Sequence, residues 1–461
     1  MSLGSLLYVS RDSPLAIQMG IDITGGNVAN VNTPGYSRQR AVVRSTGGNN
    51  LLSGVLQTGV RVDKIERQYD SYLEGQLIQQ RQNTAYSGTL NDRLTSIESI
   101  FNESSTGGFT DQLNKFWSSW ETLSSNPSGQ VERDSVVANA QAVAGKLTDF
   151  TNDLTNLKAD IKTTIRDLVT TLNTNINQVR TLNEKITITG SKNGDTNVLQ
   201  DKLISLVGDL GDKIGINWFM NTDGTVNVFL EDGTPIVERI VASELNTIDS
   251  AGSISIYPVK GNREDPLNGT ITKGQLGALI KCQDEVIPEY RHRLDAFVQA
   301  LADGVNEQHQ KGYDSDKNAG GDFFTYTASS PAASLKVNPT IVGNPRKVAA
   351  AETVSGDGAN ATCIANIQHR LLLDGNSVTL NAYHAATVGN IGRMVADSKT
   401  DYDHQTAIMN NVSNRRESIS GVSIDEEMID LMKYQMSYSA AGRLCQTVND
   451  MLDTLMSLGG R

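Results

Sequence analysis

Apolar residues recur along this chain at the spacing of long helices. The longest series is Val143, Leu147, Phe150, Leu154, Leu157, Ile161, Ile165, Leu168, Leu172, Ile176, Val179, Leu182 and Ile186. Its steps of three and four average about 3.6 residues, the period of a straight helix rather than the 3.5 of a heptad supercoil. Gly145 is the only glycine or proline between Glu132 and Thr189. The pattern therefore predicts one helix over 132–189, roughly 85 Å long at about 1.5 Å per residue.

A second seam lies at the C-terminus, where Leu431, Tyr434, Tyr438, Ala441, Cys445, Val448, Leu452 and Leu455 share one helical face. Ser423 and Glu426 have the spacing of a capping box, Asp425, Glu426 and Glu427 suit the positive end of the helix dipole, and Gly459-Gly460 supplies a stop. Further helical patterns cover 64–101 (Ile65, Tyr69, Leu73, Leu77, Leu90, Leu94, Ile97), 275–309 with a kink expected at Pro288, and 377–416. Near the N-terminus Leu3, Leu7, Ile17, Ile21 and Val28 can share a face, but Ser13-Pro14 interrupts it. A break or a fresh helix start is expected at Pro14, and a helix end near Thr24-Gly25-Gly26. Asn32-Thr33-Pro34-Gly35-Tyr36 then reads as a turn with Pro and Gly at its centre.

Between Ile216 and Tyr257 the pattern changes. Asn221-Thr222-Asp223-Gly224 and Glu231-Asp232-Gly233-Thr234 are turn signals flanking the strand-like Thr225–Leu230. The fold class is thus mainly α with a β-rich insert (α+β), an elongated multidomain rod whose long helical bundle draws on both halves of the chain and whose terminal helices pair. The expected domains are 1–63 with 417–461, 64–205 with 273–416 as the shaft, and a small β-rich domain at 206–272. Terminal seams of this kind favour self-association or partner binding over burial within one subunit.

Composition narrows the function. The 461 residues are 38% hydrophobic and 5% aromatic, with a formal charge of −12. Nucleic-acid binding needs clustered cations and is disfavoured, and no apolar run reaches the roughly 18 residues of a membrane span. The start, Met1-Ser2-Leu3-Gly4, lacks the basic region of a cleaved signal peptide. Cys282, Cys363 and Cys445 are too scattered for a disulfide framework or a zinc site.

Catalytic chemistry finds no constellation. The five histidines, His292, His309, His369, His384 and His404, are dispersed, and His309 reads as a helix C-terminal cap. Asp314, Asp316, Asn318 and Asp322 alternate like calcium ligands, yet Ala319 and Thr325 stand where an EF-hand needs Gly and Glu, which favours a loop of Asx turns. Asp284-Glu285 precedes the expected kink at Pro288 and Asp425-Glu426-Glu427 caps a helix start, places where carboxylates are structural. No catalytic residue, metal site or cofactor is expected, and the chain reads as no enzyme.

The segment Asn27-Val28-Ala29-Asn30-Val31-Asn32-Thr33-Pro34-Gly35-Tyr36-Ser37-Arg38-Gln39 resembles the N-terminal motif of flagellar rod, hook and hook-associated proteins, carried chiefly by Asn30, Asn32, Thr33, Pro34, Gly35 and Tyr36. The stretches 59–70, 306–324 (Asn306-Glu307-Gln308-His309 through Gly320-Gly321-Asp322-Phe323-Phe324) and 418–427 are similar to blocks of the hook-associated protein 1 family, the first hook–filament junction proteins. Pro14 and Gly25-Gly26 depart from the family pattern and imply a shorter N-terminal helix, and the small β insert implies few outer domains. The resemblance implies a structural subunit exported through the flagellar type III apparatus without a cleaved signal. It implies contacts with itself in a ring, with the hook subunit, with the second junction protein, and with an export chaperone at the C-terminal helix. The alternatives are the second junction protein or the hook subunit, and, in another class, a calcium-dependent adhesin on a helical stalk.

Overall fold

The computed structural model describes residues 3–459 apart from 46–48, 52–53, 57–58, 103–107, 193, 251, 260–264 and 354–355. Twelve helices are seen among the described residues: α1 (Leu3–Ala29), α2 (Ser71–Phe101), α3 (Phe109–Ser125), α4 (Gln130–Ser191), α5 (Asn197–Lys213), α6 (Gly274–Lys281), α7 (Ile287–His309), the short α8 (Pro331–Ser334), α9 (Pro339–Val342) and α10 (Ala359–Ala365), then α11 (Leu380–Ser420) and α12 (Ile424–Gly459).

The 62-residue α4 is the spine. Its predicted seam is the core face, with Val143, Leu147, Leu154, Ile161, Ile165, Leu172, Ile176, Val179 and Ile186 fully buried. Each such side chain contributes about 1.5–3 kcal/mol of burial, so the period read from the sequence is also the main source of shaft stability. Helices α3 and α5 lie along α4, and α7 closes the bundle. Two buried aromatic groups add to this core. Phe101 and Phe109 pack on Phe150, and Trp120 and Phe323 pack on His309, with Phe116 against both of those rings.

Three helical expectations are corrected. Residues Lys64–Arg67 are strand, and α2 begins only at Ser71, where the Asp70 carboxylate accepts from the N–H groups of Tyr72 (2.9 Å) and Leu73 (3.2 Å). Instead of a kink at Pro288, a π-helical turn over Cys282–Val286 joins α6 to α7, with the Ile287 N–H reaching back five residues to the Cys282 carbonyl. Pro288 then falls in the first turn of α7, where no N–H is required. Finally, α1 runs without a break through Pro14 and through Gly25-Gly26 to Ala29. Pro14 has no N–H for the carbonyl of Ser10, and the Cys445 thiol of α12 donates to that oxygen at 3.0 Å. The partner helix thus satisfies the acceptor that the proline leaves bare.

Contacts of α1 residues Ser10, Gly20 and Asn27 with α12 residues Cys445, Tyr434 and Glu427 run in opposite order, so the two terminal helices are antiparallel. A ribbon of β1 (Gln39–Ser45) and β4 (Val60–Arg67), antiparallel and shifted in register at Val42/Val43, packs on α1. The intervening β2 (Asn49–Leu51) and β3 (Gly54–Leu56) pair with each other. The insert is an antiparallel sheet in the order β5 (Ile216–Met220), β6 (Val226–Leu230), β7 (Pro235–Glu238), β8 (Val241–Ala242), followed by the hairpin β9 (Leu245–Ser250) and β10 (Ser253–Pro258). Both predicted turns carry a glycine in the left-handed region, Gly224 (φ 81°) and Gly233 (φ 86°). Val226, Val228 and Leu230 face inward. Fully buried Asn183 of α4 clamps the sheet, accepting from Val226 N–H and donating to the carbonyls of Val226 and Arg239. A last pair, β11 (Phe324–Thr325) and β12 (Lys336–Val337), lies beside α7 and α4.

Candidate functional site

The terminal pair meets the shaft at a polar joint built around the turn after α1. Asn30 ends the helix, its Nδ2 donating to the Gly26 carbonyl at 2.9 Å. Thr33 Oγ1 donates to Asn30 Oδ1, and the Tyr36 N–H donates to the Thr33 carbonyl at 3.2 Å, closing a turn over 33–36. Pro34 and Gly35 are its central residues, and the Gly35 φ of 78° is the value a type II turn needs at that place. Asn32, Thr33 and Pro34 remain exposed.

Around the turn, four elements are tied by charges and amides. Asn27 Oδ1 accepts from the Tyr36 hydroxyl (2.9 Å) and the Gln39 N–H (3.0 Å), while its Nδ2 donates to the Gln39 carbonyl (2.9 Å) and to Glu427 of α12 (3.1 Å). Arg38 lies 2.6 Å from both Glu426 and Glu427, and Glu427 is buried. Glu426 therefore faces Arg38 across the joint, in place of reaching back toward Ser423 as the capping box predicted. On the shaft side, Arg67 pairs with Asp201 of α5 at 2.6 Å, and both are buried. Arg416, near the end of α11, pairs with Glu74 of α2 at 3.4 Å and donates to the carbonyls of Gly35 and Tyr36.

The electrostatics follow from burial. Desolvation pushes the Glu74 and Asp201 carboxyls up, against the opposing pull of Arg416 and Arg67. Burial, with Asp201 and Glu427 nearby, pushes the Tyr36 phenol up to about 12, so it stays a hydrogen-bond donor to Asn27. Burial alone would lower Arg38, but Glu426 and Glu427 hold it above its ordinary value. Such a cluster of paired charges and amides fixes the geometry of the joint.

The C-terminal seam is unevenly covered. Val448 is buried, and Leu431, Tyr434, Ala441, Cys445 and Leu452 are half-buried. Tyr434 lies on Gly20, where a Cβ would come within 2.8 Å of its ring. Tyr438 and Leu455 are 47% and 53% exposed. So are Met428, Met432 and Met436 of α12 and Leu15 and Met19 of α1, which leaves the helix pair with a broad uncovered apolar surface.

The 306–324 block is a structural knot. The His309 ring is buried, its Nδ1–H donating to the Gly321 carbonyl at 2.6 Å and its Nε2 accepting from Ala349 N–H at 2.9 Å. It fastens two distant loops and does not cap its own helix, as had been expected. Asp314 turns inward to accept from the N–H groups of Asp316 and Asn318, both at 2.8 Å. Asp316 pairs with Arg346, and Asp322 accepts from Gln310. These carboxylates face separate partners, as an Asx-turn loop requires and a calcium site does not. Among the described residues no group of three or more His, Cys, Asp or Glu could hold a metal ion.

Arg38 and Arg67 fall within the motif stretches 27–39 and 59–70 that the sequence marks, whereas Glu74, Asp201 and Arg416 fall in no such stretch. The partners in the Arg67–Asp201 and Glu74–Arg416 pairs lie 134 and 342 residues apart, so neither pair leaves a local sign.

Comparison with known proteins fits this arrangement. Residues 94–324 match the family model of the flagellar hook-associated protein FlgK helical domain, and residues 415–458 match that of the flagellar basal body rod FlgEFG protein C-terminal. The chain is 28% identical to flagellar hook-associated protein 1 of Bacillus subtilis, over 99% of each chain. It is 22% identical to the protein of that name from Salmonella typhimurium, over 99% of this chain and 100% of the relative. That alignment runs over 555 positions, more than this chain has residues, so the relative carries segments with no counterpart here. The flagellar hook junction protein FlgK from Burkholderia pseudomallei shares the fold, with a TM-score of 0.67 at 14% identity, over 75% of this chain and all of that one.

Proposed function

The chain belongs to the FlgK family of flagellar hook-associated proteins, structural proteins and not enzymes, and from that premise we propose that it joins the hook to the filament as a subunit of the hook–filament junction. The observation that carries the proposal is the match to proteins named flagellar hook-associated protein 1 over nearly the full length of both chains. In this reading the protein is exported as unfolded chain through the flagellar type III apparatus, with a chaperone covering the C-terminal helix until export. It then assembles with copies of itself into a ring at the hook tip, against the hook subunit on one side and the second junction protein on the other.

Several features support that reading. The terminal pair exposes Leu15, Met19, Met428, Met432 and Met436, an apolar surface of the kind that monomeric proteins rarely leave uncovered. The shaft, with its continuous buried seam, is built to hold shape on its own. The joint between them fixes the terminal pair by ion pairs and amide hydrogen bonds. We assign residues 1–63 with 417–461 to the inner layer of the assembly, the long-helix shaft to the next, and the β-rich insert to the outside.

Deletion of the gene tests the reading. The expected result is cells with intact hooks, no filaments, and flagellin shed into the medium. Normal filaments on the deletion strain would overturn it, and loss of the hooks themselves would place the chain at an earlier point in the axial structure.

A further inference from the structure

Beside the turn at 33–36 lies a groove of about 960 Å³, walled by the turn on one side and by α4 and α5 on the other. Its apolar lining includes Leu182, Val198 and Leu206, with Val198 51% exposed. Lys185 and Lys202 stand exposed at its rim, and among the described residues neither has a carboxylate within ion-pair distance. On the far side of the same turn is a smaller cavity of about 190 Å³, walled by Arg416, Glu417, Gly421 and Val422 on the approach to α12. Asn30 and Thr33 to Tyr36 line both. The groove and the start of α12 therefore flank one turn.

The start of α12 has the opposite character. Ile424, Met428 and Ile429 are 50%, 46% and 48% exposed, an apolar patch with no cover of its own. Asp425 and Glu426 are exposed beside it, and Asp425 has no ion-pair partner among the described residues. Two turns of helix form a cylinder about 10 Å long and 10–12 Å wide, which is close to the size of the groove.

We propose that this groove receives the start of α12, Ile424–Asp430, from a second copy of the chain. Ile424, Met428 and Ile429 would cover Leu182, Val198 and Leu206, while Lys185 and Lys202 face the unpaired Asp425, Glu426 being held by Arg38 of its own chain. The two surfaces differ from each other and lie on opposite sides of one turn, so the contact is head-to-tail. A repeated head-to-tail contact closes into a ring or winds into a helix, whereas a self-complementary patch stops at a dimer. The proposal rests on the reading that copies of the chain assemble with one another, and it names the surfaces they use.

Cross-linking in assembled flagella tests it. Cells carry Val198→Cys and Met428→Cys together in a Cys363→Ser background, and each cysteine variant singly as a control for the native thiols. After oxidation with copper phenanthroline, the double variant is expected to run on a non-reducing gel as a ladder of dimers and higher multimers, and the single variants as monomers. A double variant that supports normal filaments yet stays monomeric on the gel would overturn the groove assignment and leave the assembly reading standing. In a second arm, Lys185→Glu with Lys202→Glu is expected to cut the fraction of filament-bearing cells at least tenfold, and adding Asp425→Lys to restore at least half of it. Normal filaments with the lysines reversed would also overturn the assignment. If wild-type chain shows no association with itself at the hook tip, the assembly reading falls and this proposal with it.

Discussion

At the scale of single residues, the clearest consequences come from two groups whose partners lie far away in sequence. Burial lowers His309 from 6.5 to about 4, and its two ring nitrogens suit only the neutral form, one donating to Gly321 and the other accepting from Ala349. The unfolded chain takes up a proton near pH 6.5 and the folded one only near pH 4. This residue's contribution is therefore intact above pH 6.5, is lost as pH falls through that window, and is constant below it. The shift corresponds to about 3 kcal/mol. Urea unfolding at pH 7 and pH 4.5 should show it, and His309→Phe should flatten that difference while lowering stability at pH 7, because two backbone groups lose their partner at about 1–3 kcal/mol each. Pro14 offers a cleaner experiment. Cys445→Ala leaves the Ser10 carbonyl bare and should cost about 1 kcal/mol; in a Pro14→Ala background, where residue 14 supplies the N–H itself, the same substitution should cost almost nothing. Equal losses in both backgrounds would show that the thiol's donation contributes nothing. The sequence displays Pro14, and a local reading concludes that the helix breaks there. The partner that keeps it whole lies 435 residues beyond Ser10 and left no local sign.

At the scale of elements, the long helices were legible because a period of about 3.6 sustained over many turns has no other physical explanation. The shorter pieces were decided by pairing. Ile65, Tyr69, Leu73 and Leu77 are spaced by fours and imitate a helix, yet residues 60–67 run as strand because Gln39–Ser45 lies alongside, with Ile65 opposite Ala41. Each member of the Arg67–Asp201 and Glu74–Arg416 pairs looks like an ordinary surface charge until the fold brings them together across 134 and 342 residues. Of the motif singled out in the sequence, Asn30, Thr33, Gly35 and Tyr36 shape the turn, whereas the residues that hold it in place come from α2, α5, α11 and α12. Arg67 joins the end of β4 to α5 and also lies over the Tyr69 ring at 4.9 Å. Arg67→Ala leaves Asp201 buried and unpaired and should destabilise the chain by about 3–5 kcal/mol, read by urea unfolding. Arg67→Ala with Asp201→Ala should recover much of that loss. If the single variant is as stable as wild type, the pair is not what anchors the ribbon to the shaft.

At the scale of the whole molecule, the apolar surface is distributed so that one part can fold alone and the other cannot do so well. The shaft buries a continuous series from Ile78 to Ile391, while along α1 and α12 the only fully covered apolar side chain among those described is Val448. Helices within proteins gain most of their stability from packing an apolar face, and here that face is half covered by one partner helix and otherwise open. The terminal pair should therefore open locally in dilute monomer, at a free-energy cost well below that of global unfolding. Hydrogen exchange on monomer measures this directly. Amides from Leu444 to Leu455 should exchange at least tenfold faster than those from Ile161 to Ile176, and both sets should be equally protected in assembled flagella. Full protection of α12 in the monomer would mean that the pair is stable by itself, and the ordering of the terminal helices could then no longer be the step that couples folding to assembly. The proposed assembly would supply that coupling: the exposed methionines and leucines are harmless on an unfolded chain and unfavourable on a folded monomer, and neighbouring subunits would cover them.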